Sequence, residues 1–160
     1  MTITSTMRAV SAALVGAGAL MFGAVTAHAA DPIYTGFLSN TAVGGYDVTT
    51  FWDETARERG PLRGDSDHST EWMGAKWKFT SAENLSRFVA DPERFAPEYG
   101  GYCAWAAAMG DLAKGDPKHW AIHDGELYLN FNADIQAKWD ADREGFIERA
   151  DAIWPAPLED

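Results

Sequence analysis

His119-Trp120-Ala121-Ile122-His123-Asp124-Gly125-Glu126-Leu127-Tyr128-Leu129-Asn130 is the stretch on which the fold turns. Asp-Gly between two alternating runs signals a two-residue type I′ hairpin, because both central residues need positive φ and Asp and Gly tolerate it. That turn pairs Ile122 with Leu127 and Trp120 with Leu129 on an inner face. Side chains alternate along a strand, so His119, Ala121, His123, Glu126, Tyr128 and Asn130 are expected to point outward. Downstream, Asn132 can cap a helix from Ala133 to about Asp140, with Ile135 and Trp139 as an apolar pair one turn apart. A last helix near Arg143 to Ala152 carries Phe146 and Ile147, and Trp154-Pro155 closes it.

Upstream lies a second hairpin pattern, Thr70-Glu71-Trp72-Met73, Gly74-Ala75, Lys76-Trp77-Lys78-Phe79. With Gly74-Ala75 as the loop, Met73 pairs with Lys76, Trp72 with Trp77, Glu71 with Lys78 and Thr70 with Phe79. Trp72, Trp77 and Phe79 then share a face, and alternation carries His68 onto it. Thr80-Ser81-Ala82-Glu83 has capping-box spacing for a helix with Leu85, Phe88 and Val89 on its apolar side, stopped at Asp91-Pro92. Between the hairpins, Gly100-Gly101-Tyr102-Cys103 opens a short helix of small residues reaching Met109. Gly44-Gly45-Tyr46-Asp47 echoes it, but three shared residues are too few to establish a repeat. The charged segment from Asp53 to Asp67, broken by Gly60-Pro61 and Gly64, reads as an exposed loop. Two hairpins and several short helices predict one small α+β domain over residues 30–160.

Residues 1–29 have the character of a leader: Arg8, an apolar run from Ala9 to Val25, and Ala27-His28-Ala29 as a cleavage pattern. Removal near Ala29 implies a periplasmic or secreted protein with no membrane insertion afterwards, since no later stretch is apolar enough to span. The 160-residue chain has 13 basic and 24 acidic residues and a net charge of −11. That balance argues against nucleic acid or an anionic membrane as partner. A single cysteine excludes an intramolecular disulfide, so a core must hold the fold, and seven Trp, eight Phe and five Tyr supply one.

Cys103 at a helix start is a candidate thiolate, because free backbone N–H groups there favour negative charge. His68 is the histidine that the strand pattern turns toward an apolar face. Cys103 with His68, completed by Met109 or Met73, a Tyr or a carboxylate, makes a ligand set that suits copper better than magnesium or calcium. Met73 is a weaker candidate because it falls on the opposite face. His119 and His123 share a strand face about 13 Å apart at roughly 3.3 Å per residue, too far for one ion. A closed zinc site has no Cys-x-x-Cys or His-Glu-x-x-His pattern behind it. Two alternatives stand beside copper: a redox enzyme or sensor acting through Cys103 alone, and a non-catalytic module whose aromatic pocket binds a small molecule or an envelope protein.

Ala42-Val43-Gly44-Gly45-Tyr46-Asp47-Val48, Trp72 to Asn84, Tyr99 to Ala104, Gly115 to Asn130 and Ala150 to Pro155 together resemble the exported YHS-domain proteins of bacteria. The resemblance spans nearly all of residues 30–160 and implies a YHS-like α+β fold. The wider YHS class is associated with metal binding through cysteines after an aromatic hairpin strand. Here those places hold Thr80-Ser81 and Glu83-Asn84, so that ligand set does not carry over. Members of the exported branch are often labelled selenoproteins, which implies a reactive position at Cys103.

Overall fold

Asp124 and Gly125 both adopt positive φ, 50° and 87°, and close the expected hairpin. Ile122 pairs with Leu127 and Trp120 with Leu129. The computed structural model containing it describes residues 29–158, so the expected leader lies outside them except for Ala29. In chain order the regular elements are α1 (Ala56–Arg59), β1 (Asp65–Trp72), β2 (Ala75–Phe79), α2 (Ala82–Ala90), α3 (Pro92–Phe95), α4 (Ala104–Ala107), β3 (Asp116–His123), β4 (Glu126–Asn130), α5 (Ala133–Asp140) and α6 (Arg143–Ile153). Short 3₁₀ turns at Ala42–Gly45, Val48–Trp52, Glu98–Gly101 and Ala156–Leu158 link them. The strands form two separate two-stranded antiparallel sheets, so the chain is a small single α+β domain.

The first hairpin differs from the sequence expectation in its turn. Met73 and Gly74, at φ 48° and 77°, form the loop instead of Gly74-Ala75. Trp72 therefore pairs with Ala75, Thr70 with Trp77 and Glu71 with Lys76. A two-residue slip preserves side-chain parity, so Trp72, Trp77 and Phe79 still share the buried face. The ladder breaks between Asp65 and Ser69, which puts His68 in a bulge. Alternation no longer assigns a face to a residue in a bulge, so the reason for aiming His68 at the aromatic side lapses.

Two further expectations are corrected. Ser81, one residue later than the capping-box spacing implied, caps α2 by accepting from the Asn84 N–H at 3.2 Å. The helix expected from Tyr102 to Met109 shrinks to α4, four residues long. The Asp53–Asp67 segment is not all loop either, since it contains α1 and the start of β1.

The second hairpin is buried on both faces. Leu127 and Leu129, with Trp120 and Ile122 against them, join a core of Val48, Phe51, Trp77, Phe79 and Phe88. The face expected to meet solvent carries Ala121 and Tyr128 into a second core with Tyr99, Ala107, Trp139 and Ala150. Helices α4, α5 and α6 cover that side. From Trp120 to Leu129 alternation named the two sets of side chains correctly but cannot say that both sides are covered, and His119, in the bulge between Asp116 and Trp120, falls outside it.

Superimposing one hairpin's pairing on the other reveals an internal duplication. Asp65 pairs with Phe79 and Ser69 with Lys78 across a break, and Asp116 pairs with Asn130 and Trp120 with Leu129 across the same break. Parallel bridges Thr41–Lys76 and Pro97–Leu127 correspond, as do antiparallel bridges Tyr46–Arg63 and Tyr102–Lys114. Each hairpin leads into a helix capped by Ser81 or Asn132, and each of those into another capped by Asp91 or Asp142. Aligned this way, the sequence repeats too: Gly64-Asp65 with Gly115-Asp116, His68 with His119, Gly74 with Gly125, Asp91 with Asp142, Glu93 with Glu144 and Phe95 with Phe146. The Gly-Gly-Tyr echo belongs to this duplication. Val43 and Tyr99 precede it at φ 51° and 53°. Left-handed backbone is costly for such residues. Because both halves hold it, the strain belongs to the repeated turn, not to one site.

Candidate functional site

Cys103 stands where the chain leaves the second Gly-Gly-Tyr turn and enters α4. Its backbone N–H donates to the Ala113 carbonyl at 2.8 Å, and its carbonyl accepts from Ala107 at 2.9 Å. The thiol donates to Asn130 Oδ1 at 3.6 Å, an oxygen that also accepts from the Trp105 N–H at 3.2 Å. Asn130 Nδ2 then donates to Gln136 Oε1 at 3.0 Å, and Gln136 Nε2 to Asp140 Oδ1 at 2.9 Å. Only 1% of Cys103 is exposed. Its surroundings are those of a packed thiol closing a polar chain, with no open side for an oxidant or a ligand exchange.

The other members of the expected copper set lie apart in character. Met109 is 48% exposed beyond the end of α4. His68 sits in the bulge of the first hairpin, while every hydrogen bond named for Cys103 stays in the second half. Among the described residues, no group of three His, Cys, Asp or Glu side chains is placed to hold a metal ion.

The duplication gives the Cys103 position a counterpart. Its counterpart, Asp47, is fully buried, and one carboxylate oxygen accepts from the Thr49 N–H and hydroxyl at 3.0 and 2.7 Å. The other accepts from the Thr80 N–H, the Thr80 hydroxyl and Asn84 Nδ2, each at 2.8 Å. Asp47 thus caps the next helical turn and ties it to the end of β2 and the start of α2. In the second half Asn130, from the strand, caps the Trp105 N–H, and the buried Cys103 thiol donates to the same oxygen. Both positions serve the junction of turn, strand and helix.

A different feature opens to solvent. Pro32, Ile33, Trp72, Met73, Glu98, Tyr99, Trp154 and Pro155 are among the residues lining a groove of about 540 Å³. The amino-terminal strap is held there by Tyr34 N–H to the Gly100 carbonyl at 2.9 Å and by the Tyr102 hydroxyl to the Asp31 carbonyl, also at 2.9 Å. Gly100 must be glycine: a Cβ would sit 1.9 Å from the Pro32 carbonyl oxygen. Trp154 packs on the Tyr99 ring with centroids 5.5 Å apart.

Glu98 is the unusual group in this groove. Burial, then a hydrogen bond shared with Glu126 and the nearby charges of Glu126 and Asp151, push its carboxyl up to about 7. Such a group holds or releases a proton near neutrality. Tyr99 beside it donates to Asp151 Oδ1 at 2.8 Å, and burial together with that bond holds its hydroxyl well above the ordinary phenol range. Burial does the same for Tyr128, supported by the charges of Glu98 and Asp151. Sequence reasoning passed over Glu98 and Glu126 because carboxylates are abundant in so acidic a chain. Only the fold brings the 3₁₀ turn Glu98–Gly101 beside β4. Compared with family models, with curated proteins and with solved structures, the chain matches none.

Proposed function

We propose that this chain is a non-catalytic binding module that takes its ligand in the Trp72–Glu98–Trp154 groove, with Cys103 as a packing residue. One observation carries this: an open aromatic groove contains a half-buried carboxyl that titrates near neutrality, whereas the thiol is sealed. Concave, mostly apolar sites with one or two oriented polar groups are where small ligands bind. Action outside the cytoplasm goes with this reading, supported by the leader-like residues 1–29 and the resemblance to exported YHS proteins. Copper at Cys103, His68 and Met109 draws less support, because Cys103 is sealed and, among the described residues, no group of three His, Cys, Asp or Glu side chains is placed to hold a metal ion.

Amide and indole chemical-shift mapping against a small-molecule fragment set tests the assignment. Hits are expected to cluster on Ile33, Trp72, Tyr99, Gly100 and Trp154. Hits clustering around Cys103, or copper binding that disappears in Cys103→Ser, would return the function to the thiol.

A further inference from the structure

The two halves make a built-in comparison. Glu98 of the second 3₁₀ turn answers to Ala42 of the first, and Glu126 at the start of β4 answers to Ala75 at the start of β2. Ala42 and Ala75 are each 1% exposed and belong to the main core. The fold is therefore satisfied at this junction by two small apolar residues. In the second half the same junction holds two carboxyls that line one depression, where Glu126 raises the cost of ionising Glu98. Two acids forced together oppose folding, so the repeat does not require them. Glu98 lines the groove and meets Glu126 in the depression beside it, and the groove's other carboxyl is Glu93. Among the described residues lining it, no Lys, Arg or His balances these charges. The remaining walls include Trp72, Trp154 and Tyr99, whose ring faces attract cations as well as apolar groups.

We propose that the groove takes an organic monocation, a quaternary or protonated amine on an apolar body, with Glu98 as its counter-ion and Trp72 and Trp154 around its apolar part. This rests on the groove reading above and names the ligand class. Binding of the cation favours the Glu98 carboxylate, so it releases the proton that Glu98 holds, and affinity rises with pH through about 7. The groups facing Glu98 are Glu126 and Tyr128 on β4 and Asp151 on α6. Asp91, Glu93 and Arg94 border the adjoining depression that Glu98 and Glu126 also line. Arg94 lies over the Trp52 and Phe95 rings, with its guanidinium 5.3 Å and 5.7 Å from their centroids.

Benzyltrimethylammonium, whose charge is independent of pH, is the probe, with benzyl alcohol and benzenesulfonate as neutral and anionic controls. Binding to the chain is followed by calorimetry and by the Trp indole resonances at pH 5.5 and 8. The cation is expected to bind at least tenfold more tightly at pH 8 than at pH 5.5, and at least tenfold more tightly than either control at pH 8. Glu98→Gln is expected to remove both differences while melting as a folded protein. Equal binding of cation and alcohol, unchanged in Glu98→Gln, would overturn the cation proposal and leave the groove standing. Preference for benzenesulfonate would also overturn it. If none of the three probes moves the Trp72 and Trp154 resonances, the groove reading fails with it.

Discussion

At Glu98, binding and folding pull in opposite directions. A carboxyl raised to about 7 in the folded chain, from 4.5 when unperturbed, binds more protons folded than unfolded between those values. Its contribution to stability is thus fully present below about pH 4.5 and is lost as pH rises toward 7. Glu98→Gln should therefore be more stable than the parent at pH 8, by about 1 kcal/mol once solvent screening is allowed for, and nearly equal to it at pH 4. Urea unfolding at the two pH values checks this, and a Gln variant that is less stable at pH 8 would overturn the raised Glu98 carboxyl. Cys103 gives the contrasting residue-scale expectation. A disulfide exchange reagent should label the native thiol orders of magnitude more slowly than the thiol in denaturant, because only opening of the fold exposes it. Labelling at the denatured rate would show the thiol to be accessible.

Among the elements, the junction around Asp47 is where a small change should be felt most. Asp47→Ala would leave the buried Thr49 and Thr80 N–H groups without their partner and release Asn84 from the start of α2. The loss should be about 3–5 kcal/mol in equilibrium unfolding. Asn130→Ala, which uncaps one N–H and frees the thiol hydrogen bond, should cost about 1–3 kcal/mol. The opposite ranking would mean that the Asp47 network does not hold this junction together. This scale also shows how far sequence could reach. Asp124-Gly125 names its own turn, so the second hairpin was legible residue by residue. Met73-Gly74 makes the same turn with a side chain that seldom adopts positive φ, so propensity placed that loop one residue late. The caps at Asn132 and Ser81 were visible, with the second misplaced by one position. The bulges, and with them the direction of His68, depend on which residues lose their ladder partners and leave no local mark.

For the whole molecule, the central fact is that the second hairpin belongs to both cores. Though the chain is duplicated, neither half owns a complete core, because Leu127 and Leu129 fill the interior of the first. Thermal unfolding followed by Trp fluorescence and by far-ultraviolet circular dichroism should then give one coincident transition. Two separated transitions would show the halves to be independent units. Composition and hairpin patterning were enough for the α+β class, but the repeat was hidden. Only a few residues at turns, caps and the bulge are shared, while the strand faces have diverged to meet different cores. Glu98 and Glu126 were hidden for the same reason, since their meaning comes from comparison with Ala42 and Ala75.

The Ala30 N–H donates to the Leu158 carbonyl at 2.7 Å, and both ends of the described chain reach the groove through Pro32, Ile33, Pro155 and Leu158. Two segments that meet in this way can be linked directly, as in a circular permutant of residues 30–158. A version joined across Ala30 and Leu158 by a short Gly-Ser link, and reopened in the exposed Asp53–Thr55 segment, should fold with the same hairpins. It would also join covalently the two segments that wall the groove, Pro32-Ile33 and Pro155 to Leu158.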